Sequence, residues 1–153
     1  MHKLIYALTL LLCFAPLPGS AQDNPPADNP ALGLWKNLDD VSGKPKALIR
    51  IFEQGGILQG RIEKLFREPG EEQNPVCKKC EGALKDQPTL GMTILTGFTR
   101  NGNEYSGGTI LDPENGKTYQ SRMSVEDNGK KLNVRGYIGI PLFGRSQTWL
   151  REQ

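Results

Sequence analysis

The chain has 153 residues, of which 37% are hydrophobic and 24% charged, and a formal net charge of +2. This length is enough for one domain with a single core but short for two. The 19 basic and 17 acidic residues are interspersed along the chain. This excludes the basic stripe that binding to a phosphate backbone requires, so no nucleic-acid partner is expected.

The first 21 residues have the pattern of a secretory signal peptide. A short basic end precedes the apolar run Leu4–Phe14, and the small residues Gly19, Ser20 and Ala21 offer a cleavage site. The apolar run is shorter than the roughly twenty residues of a spanning helix, so a retained membrane anchor is the weaker alternative. We expect cleavage after Ala21 and a periplasmic or secreted mature protein without a transmembrane segment.

Removal of this segment changes the inventory of reactive side chains. His2 is the only histidine and Cys13 is one of three cysteines, so the mature chain keeps Cys77 and Cys80 and no histidine. Mechanisms that depend on imidazole are then excluded, including histidine-activated nucleophiles and histidine metal ligands. No other catalytic constellation is recognisable. An enzymatic role is therefore the less favoured one, and no cofactor or metal site is expected.

Residues 22–31 are polar and rich in proline, which predicts a flexible lead-in to one folded domain at 32–153. Within that domain, turn signals separate short runs of alternating character. The turn signals are Gly55-Gly56, Asn101-Gly102, Asn115-Gly116 and Asn128-Gly129. The eight runs predicted as strands are Leu34 to Asn37, Lys46 to Glu53, Ile57 to Phe66, Thr93 to Arg100, Glu104 to Leu111, Lys117 to Val125, Lys131 to Ile138 and Gln147 to Arg151.

The alternation in these runs gives each strand one apolar and one polar face. Ala47, Ile49 and Ile51, for example, alternate with Lys46, Leu48 and Arg50. No longer stretch shows a helical period with caps. The sequence therefore predicts an all-β fold, an antiparallel up-and-down barrel of about eight strands with one long loop. A sandwich of two sheets is the competing arrangement.

The long loop spans Arg67 to Pro88 and contains Cys77-Lys78-Lys79-Cys80. In an exported protein this pair is expected to oxidise to a structural disulfide. A redox-active pair is the alternative, because the two lysines would favour a thiolate. A zinc site would need four ligands, and the mature chain offers only these two thiols and no histidine.

Gly60, Gly107 and Gly136 lie within predicted strands, where glycine marks a bend, a bulge or a close approach. They either only allow a small barrel to curl, or they leave room for a small hydrophobic ligand inside it. In the second case the candidate ligand-binding pocket, at or near the mouth, is lined by Trp35, Phe98, Tyr105, Tyr119, Met123 and Trp149.

Several short motifs of the mature chain occur together in one bacterial family. They are Gly33-Leu34-Trp35, Cys77-x-x-Cys80, Gly107 to Pro113 with Gly116 to Tyr119, Arg135 to Gly139, and Trp149-Leu150-Arg151. In this order they resemble domain of unknown function family 2147, which comprises small exported bacterial proteins. The resemblance implies a lipocalin-like or calycin-like barrel and brings no established activity. The first motif is also similar to the glycine-x-tryptophan that opens lipocalin barrels, which implies closure by Arg151 lying across the indole of Trp35.

Three functions of different classes remain open. The first and favoured one is a periplasmic or secreted module that binds a small apolar or amphipathic ligand in the barrel. The second is an envelope structural or interaction protein. It would present the final turn to a protein partner through Tyr137, Ile140, Leu142 and Phe143. The third is a thiol-disulfide oxidoreductase that uses the two cysteines of the long loop.

Overall fold

The computed structural model describes residues 29–153, which form a closed antiparallel barrel of eight strands. Each strand pairs with the next along the chain, and the last pairs with the first, so no strand edge is left open. The strands are β1 (Gly33–Leu38), β2 (Pro45–Gln54), β3 (Ile57–Leu65), β4 (Thr93–Asn101), β5 (Glu104–Asp112), β6 (Lys117–Glu126), β7 (Lys131–Tyr137) and β8 (Gly144–Glu152). The predicted all-β up-and-down barrel is confirmed, and the sandwich alternative is wrong.

The predicted strands match the observed ones closely because both the alternation and the turn signals are local. Gly55 and Gly56, for example, have φ angles of 61° and 78°, which the tight turn between β2 and β3 requires. The clearest difference is at β8. It begins at Gly144 rather than Gln147, because Gly144 to Ser146 continue the ladder with β7.

The barrel has two unlike ends. The closed end carries the tight turns at 55–56, 102–103 and 127–130 and the segment 29–32. The open end carries the loops 39–44, 66–92, 113–116 and 138–143. Short 3-10 turns lie in two of these loops, at Gly82–Leu84 and Pro141–Phe143, and a third, Asp127–Gly129, lies at the closed end.

The predicted signal peptide at 1–21 lies outside the described residues. Of the predicted lead-in at 22–31, the structure describes the last three residues, and these are packed rather than flexible. Asn29 is 7% exposed and Ala31 is fully buried. Trp35 Nε1 donates a hydrogen bond to the Ala31 carbonyl at 2.7 Å. The folded unit therefore includes Asn29 to Ala31, because the buried indole needs an acceptor that the strands do not supply.

Large side chains fill the barrel between its middle and the closed end. Those that are at most 2% exposed include Trp35, Phe98, Tyr105, Met123, Leu132 and Trp149. Two core side chains, Phe98 and Leu95, occupy space that is free because the facing residues, Gly108 and Gly60, have no side chain. A Cβ at Gly108 would lie 2.4 Å from the ring of Phe98, and one at Gly60 would lie 2.7 Å from Leu95. The space gained at these glycines is thus taken by side chains of the protein itself.

Candidate functional site

A cavity of about 1410 Å³ occupies the open end of the barrel. Trp149 is the residue of β8 that lines it furthest from the open end. Its apolar wall consists of inward-facing side chains from five strands, namely Ile49, Ile62, Ile94, Ile110 and Val134. An aliphatic surface of this kind can bury the apolar part of a small molecule, at about 25 cal/mol per Å² removed from water.

One side of the cavity wall is polar, where β1 lies beside β8. Asn37 Nδ2 donates to Gln147 Oε1 at 3.0 Å, and Trp149 Nε1 donates to the same oxygen at 3.3 Å. Gln147 Nε2 donates to Asp40 Oδ2 at 3.2 Å, and that carboxylate also pairs with Arg145. We call Asn37, Gln147, Asp40 and Arg145 the polar wall. It runs from the barrel interior to the rim.

Ion pairs join the loops and strands around the mouth. Lys44 Nζ lies 2.8 Å from Glu68 Oε1, and Lys46 Nζ lies 2.7 Å from Glu114 Oε1. The hydrogen bond and charge of Glu68 raise the pKa of Lys44, and those of Lys44 lower the pKa of Glu68. Three of these side chains are more than 60% exposed and that of Lys46 is 38% exposed, so the pairs position the rim loops and contribute little to stability.

The long loop folds against the mouth and is held by the predicted disulfide between Cys77 and Cys80. Val76 forms a bridge to Pro88, which closes the base of this segment. Cys77 is fully buried and Cys80 is 3% exposed. Thiol-disulfide exchange requires attack on an accessible sulfur, so this burial does not favour the oxidoreductase alternative.

The loop 138–143 is apolar and exposed beside the mouth. Ile140, Leu142 and Phe143 are 53%, 76% and 74% exposed. Arg135, on the outer face of β7, fixes this loop. Its guanidinium donates to the carbonyl of Pro141 at 2.7 Å and to that of Leu142 at 3.3 Å. Arg135 therefore fixes the backbone that carries these apolar side chains, of which Phe143 also lines the cavity.

Arg151 closes the opposite end of the barrel. Its guanidinium carbon lies 4.1 Å from the ring centroid of Trp35, and Nη1 donates to the Leu32 carbonyl at 3.0 Å. Further donors reach the carbonyls of Pro30 and Gly129. Burial lowers the pKa of Arg151. The stacking and the hydrogen bonds of Arg151 thus close this end of the barrel. The cavity opens to solvent at the other end.

A family model described as "Uncharacterized protein conserved in bacteria (DUF2147)" matches residues 33–151. The chain belongs to this family. A comparison with curated proteins finds no match. Among solved structures, the chain is similar to protein HP1028 from the human pathogen Helicobacter pylori, which belongs to the lipocalin family. The identity is 20% and the TM-score 0.68, over 80% of this chain and 82% of that chain. At this identity the likeness shows the fold alone, so the lipocalin-like barrel expected from the motifs is confirmed.

The structure divides the six residues expected to line a pocket in this DUF2147 protein. Tyr119 and Trp149 line the cavity. The other four are placed in the packed core nearer the closed end, namely Trp35, Phe98, Tyr105 and Met123. This division has a simple cause. Alternation tells which residues point inward, and most of the bulkiest inward residues fill the narrow closed end.

The polar wall was not among the predicted site residues, although the sequence holds a signal for part of it. Asn37 has the strand parity of Trp35, and Gln147 has that of Trp149. Both are therefore amides on the same strand faces as the inward-pointing indoles of Trp35 and Trp149. The aliphatic lining was missed because isoleucine and valine on an inner face are indistinguishable from core residues in sequence.

Within residues 29–153 no group of three or more histidine, cysteine, aspartate or glutamate side chains is placed to hold a metal ion. No helix in that range is long and apolar enough to cross a membrane. The cavity of this DUF2147 protein is therefore the candidate functional site.

Proposed function

We propose that this DUF2147 protein binds a small apolar or amphipathic molecule in the cavity at the open end of its barrel. The observation that carries the proposal is the cavity itself, about 1410 Å³ with an aliphatic wall, above a closed end that is fully packed. The apolar N-terminal segment and the disulfide support a location in the periplasm or outside the cell. Binding there would hold an apolar compound that is poorly soluble in water.

A binding experiment with a cavity-filling variant tests this proposal. We expect the apolar probe diphenylhexatriene to bind saturably to the purified mature protein, with a rise in its fluorescence. Ala47 lines the cavity and is 7% exposed, so Ala47→Phe places a ring in the ligand space and should abolish binding. Thr96→Phe places the same ring on the exposed outer face of β4 and should leave binding unchanged. Absence of saturable binding by the unaltered protein would overturn the proposal.

Native mass spectrometry of the mature protein, purified from the envelope fraction without detergent, provides an independent test. A co-purified ligand would add a defined mass that organic extraction removes. In Ala47→Phe that mass should be absent, and in Thr96→Phe it should be present. The same spectra, taken with and without reductant, report the oxidation state of Cys77 and Cys80.

The exposed apolar loop favours a second candidate function, docking to an envelope protein. Ile140, Leu142 and Phe143 form an apolar group that Arg135 holds in a fixed loop, and such patches are typical of interaction sites. A pull-down from an envelope fraction tests it. Capture of a partner that is lost with Phe143→Asp and kept with Thr96→Asp would support this function, and capture unaffected by Phe143→Asp would contradict it.

A further inference from the structure

We infer that the polar wall is a head-group site, and that it selects amphiphiles whose polar head carries no net charge. The inference rests on the proposed function, because it assumes that the cavity binds a ligand. It goes further by naming the ligand class: one apolar chain joined to an uncharged head rich in hydroxyl or amide groups, as in a monoacylglycerol.

The position of the polar wall within the cavity carries the first step. Gln147 and Asn37 come from adjacent strands, β8 and β1, and both line the cavity. Trp149 lies deeper on the same strand, and Asp40 and Arg145 lie at the rim. A ligand with its chain among the isoleucines of the wall would therefore hold its head at the level of the two amides.

The second argument for a head-group site is that the polar wall has a hydrogen-bond donor and an acceptor that the protein itself does not use. Gln147 Oε1 already accepts from Asn37 and Trp149, and one N–H of its amide is used by Asp40. The second N–H of Gln147 is then left to donate. Within residues 29–153 no donor reaches Asn37 Oδ1, which can accept from a ligand. One donor and one acceptor side by side match a hydroxyl or an amide.

The charge balance carries the third step. Asp40 pairs with Arg145, Lys44 with Glu68 and Lys46 with Glu114. The other charged residues that line the cavity are three acidic and three basic ones, namely Asp39, Glu71, Asp112, Arg67, Lys78 and Lys79, so the lining has no net formal charge. An anionic head would meet the Asp40 carboxylate and a cationic head the Arg145 guanidinium. At the level of the two amides, either head would be partly desolvated beside a side chain of its own charge, which is costly. An uncharged head meets no such penalty.

The test compares three amphiphiles that share a dodecyl-length chain and differ in head charge. Monolauroylglycerol is neutral, laurate anionic and dodecyltrimethylammonium cationic. We expect the neutral compound to bind about tenfold more tightly than either ion, measured by displacement of diphenylhexatriene below the micellar concentration. A factor of ten corresponds to about one hydrogen bond to a neutral group.

Two variants of Gln147 and a matched control connect this preference to the polar wall. Gln147→Leu should weaken the binding of monolauroylglycerol about tenfold more than the binding of diphenylhexatriene. Gln147→Glu adds a negative charge and should shift the preference toward dodecyltrimethylammonium. Thr148→Leu, on the exposed outer face of the same strand, should change neither affinity.

The outcomes separate this inference from the function beneath it. If diphenylhexatriene binds and the three amphiphiles bind equally, or laurate binds most tightly, the head-group inference is wrong and the proposed cavity function stands. If neither diphenylhexatriene nor any amphiphile binds, both are overturned. The ranking in the unaltered protein decides the question even if a Gln147 variant fails to fold.

Discussion

Lys46 on β2 and Glu114 in the loop after β5 form an ion pair across the mouth of the barrel, with 2.7 Å between Nζ and Oε1. β2 pairs with β1 and β3, and β5 with β4 and β6, so these residues are not on neighbouring strands. Both side chains also line the cavity. The pair thus spans the entrance that a ligand would use.

Breaking this pair should change ligand exchange more than stability. Lys46→Met is expected to lower the free energy of unfolding by less than about 1 kcal/mol, because the pair is exposed. Release of diphenylhexatriene, measured by stopped-flow dilution, should become several-fold faster. Added salt should speed release from the unaltered protein but not from Lys46→Met. Lys44→Met breaks a pair between adjacent loops and should leave the release rate unchanged; an equal effect in both variants would contradict a role for the spanning pair.

Arg151 should be among the most sensitive positions for stability. Arg151→Met keeps most of the apolar stem but removes the stacking on Trp35 and the hydrogen bonds to the carbonyls of Pro30, Leu32 and Gly129. We expect a loss of about 3 kcal/mol in urea unfolding. Arg151→Lys should recover little, since an ammonium cannot reproduce the planar fork.

A surface arginine provides the comparison for Arg151. Arg50 pairs with Glu63 on the outer face of the barrel, so Arg50→Met should cost less than about 1 kcal/mol. Similar losses at the two positions would show that the guanidinium of Arg151 does not seal the closed end.

Tyr105 should make the barrel sensitive to alkaline pH. Its hydroxyl donates to Asn29 Oδ1 at 2.7 Å, and burial raises its pKa above the usual 10.0. The folded state therefore holds this proton more tightly than the unfolded state. The resulting stability is fully present below pH 10.0 and is lost as the pH rises through the folded-state pKa. In urea unfolding on both sides of this pH, Tyr105→Phe should show a smaller alkaline loss than the unaltered protein, and an identical loss would contradict the assignment.

The disulfide should matter locally. For a loop this short, the chain-entropy relation gives about 2 kcal/mol, so Cys77→Ala with Cys80→Ala should still form the barrel. Trypsin should cleave after Lys78 or Lys79 faster in that variant, because the loop is no longer fixed against the mouth. Circular dichroism and mapped proteolysis check both expectations.

A comparison of the unaltered protein with the variant that lacks both cysteines tests the oxidoreductase alternative. With both sulfurs buried in the disulfide form, the unaltered protein should fail to reduce insulin in the presence of dithiothreitol at any rate above the dithiothreitol control. The variant without Cys77 and Cys80 is the matched control. A faster reduction of insulin by the unaltered protein than by this variant would support the oxidoreductase alternative.

Much of the fold could be predicted because its determinants are close together in the chain. The β2–β3 hairpin depends on Gly55-Gly56 and on the alternation of Ala47, Ile49 and Ile51, all within one short stretch. Motifs at the two ends of the domain predicted that Arg151 stacks on Trp35. The two residues lie on β1 and β8, the strands whose pairing closes the barrel. The structure places Asn29 and Ala31, at the end of the expected lead-in, among the buried residues, and the need of Trp35 for an acceptor at Ala31 is a tertiary requirement that the local sequence does not show.

The sequence by itself determined the strands, the turns and the inner face of each strand, because φ preferences and a period of two act over a few residues. Only the tertiary structure decided at what height along the barrel axis each inward residue lies. That height separates Trp35 in the packed closed end from Trp149 at the cavity. It also brings Asn37 and Gln147, 110 positions apart, into one hydrogen bond. Register and closure set these heights, and both depend on all eight strands together.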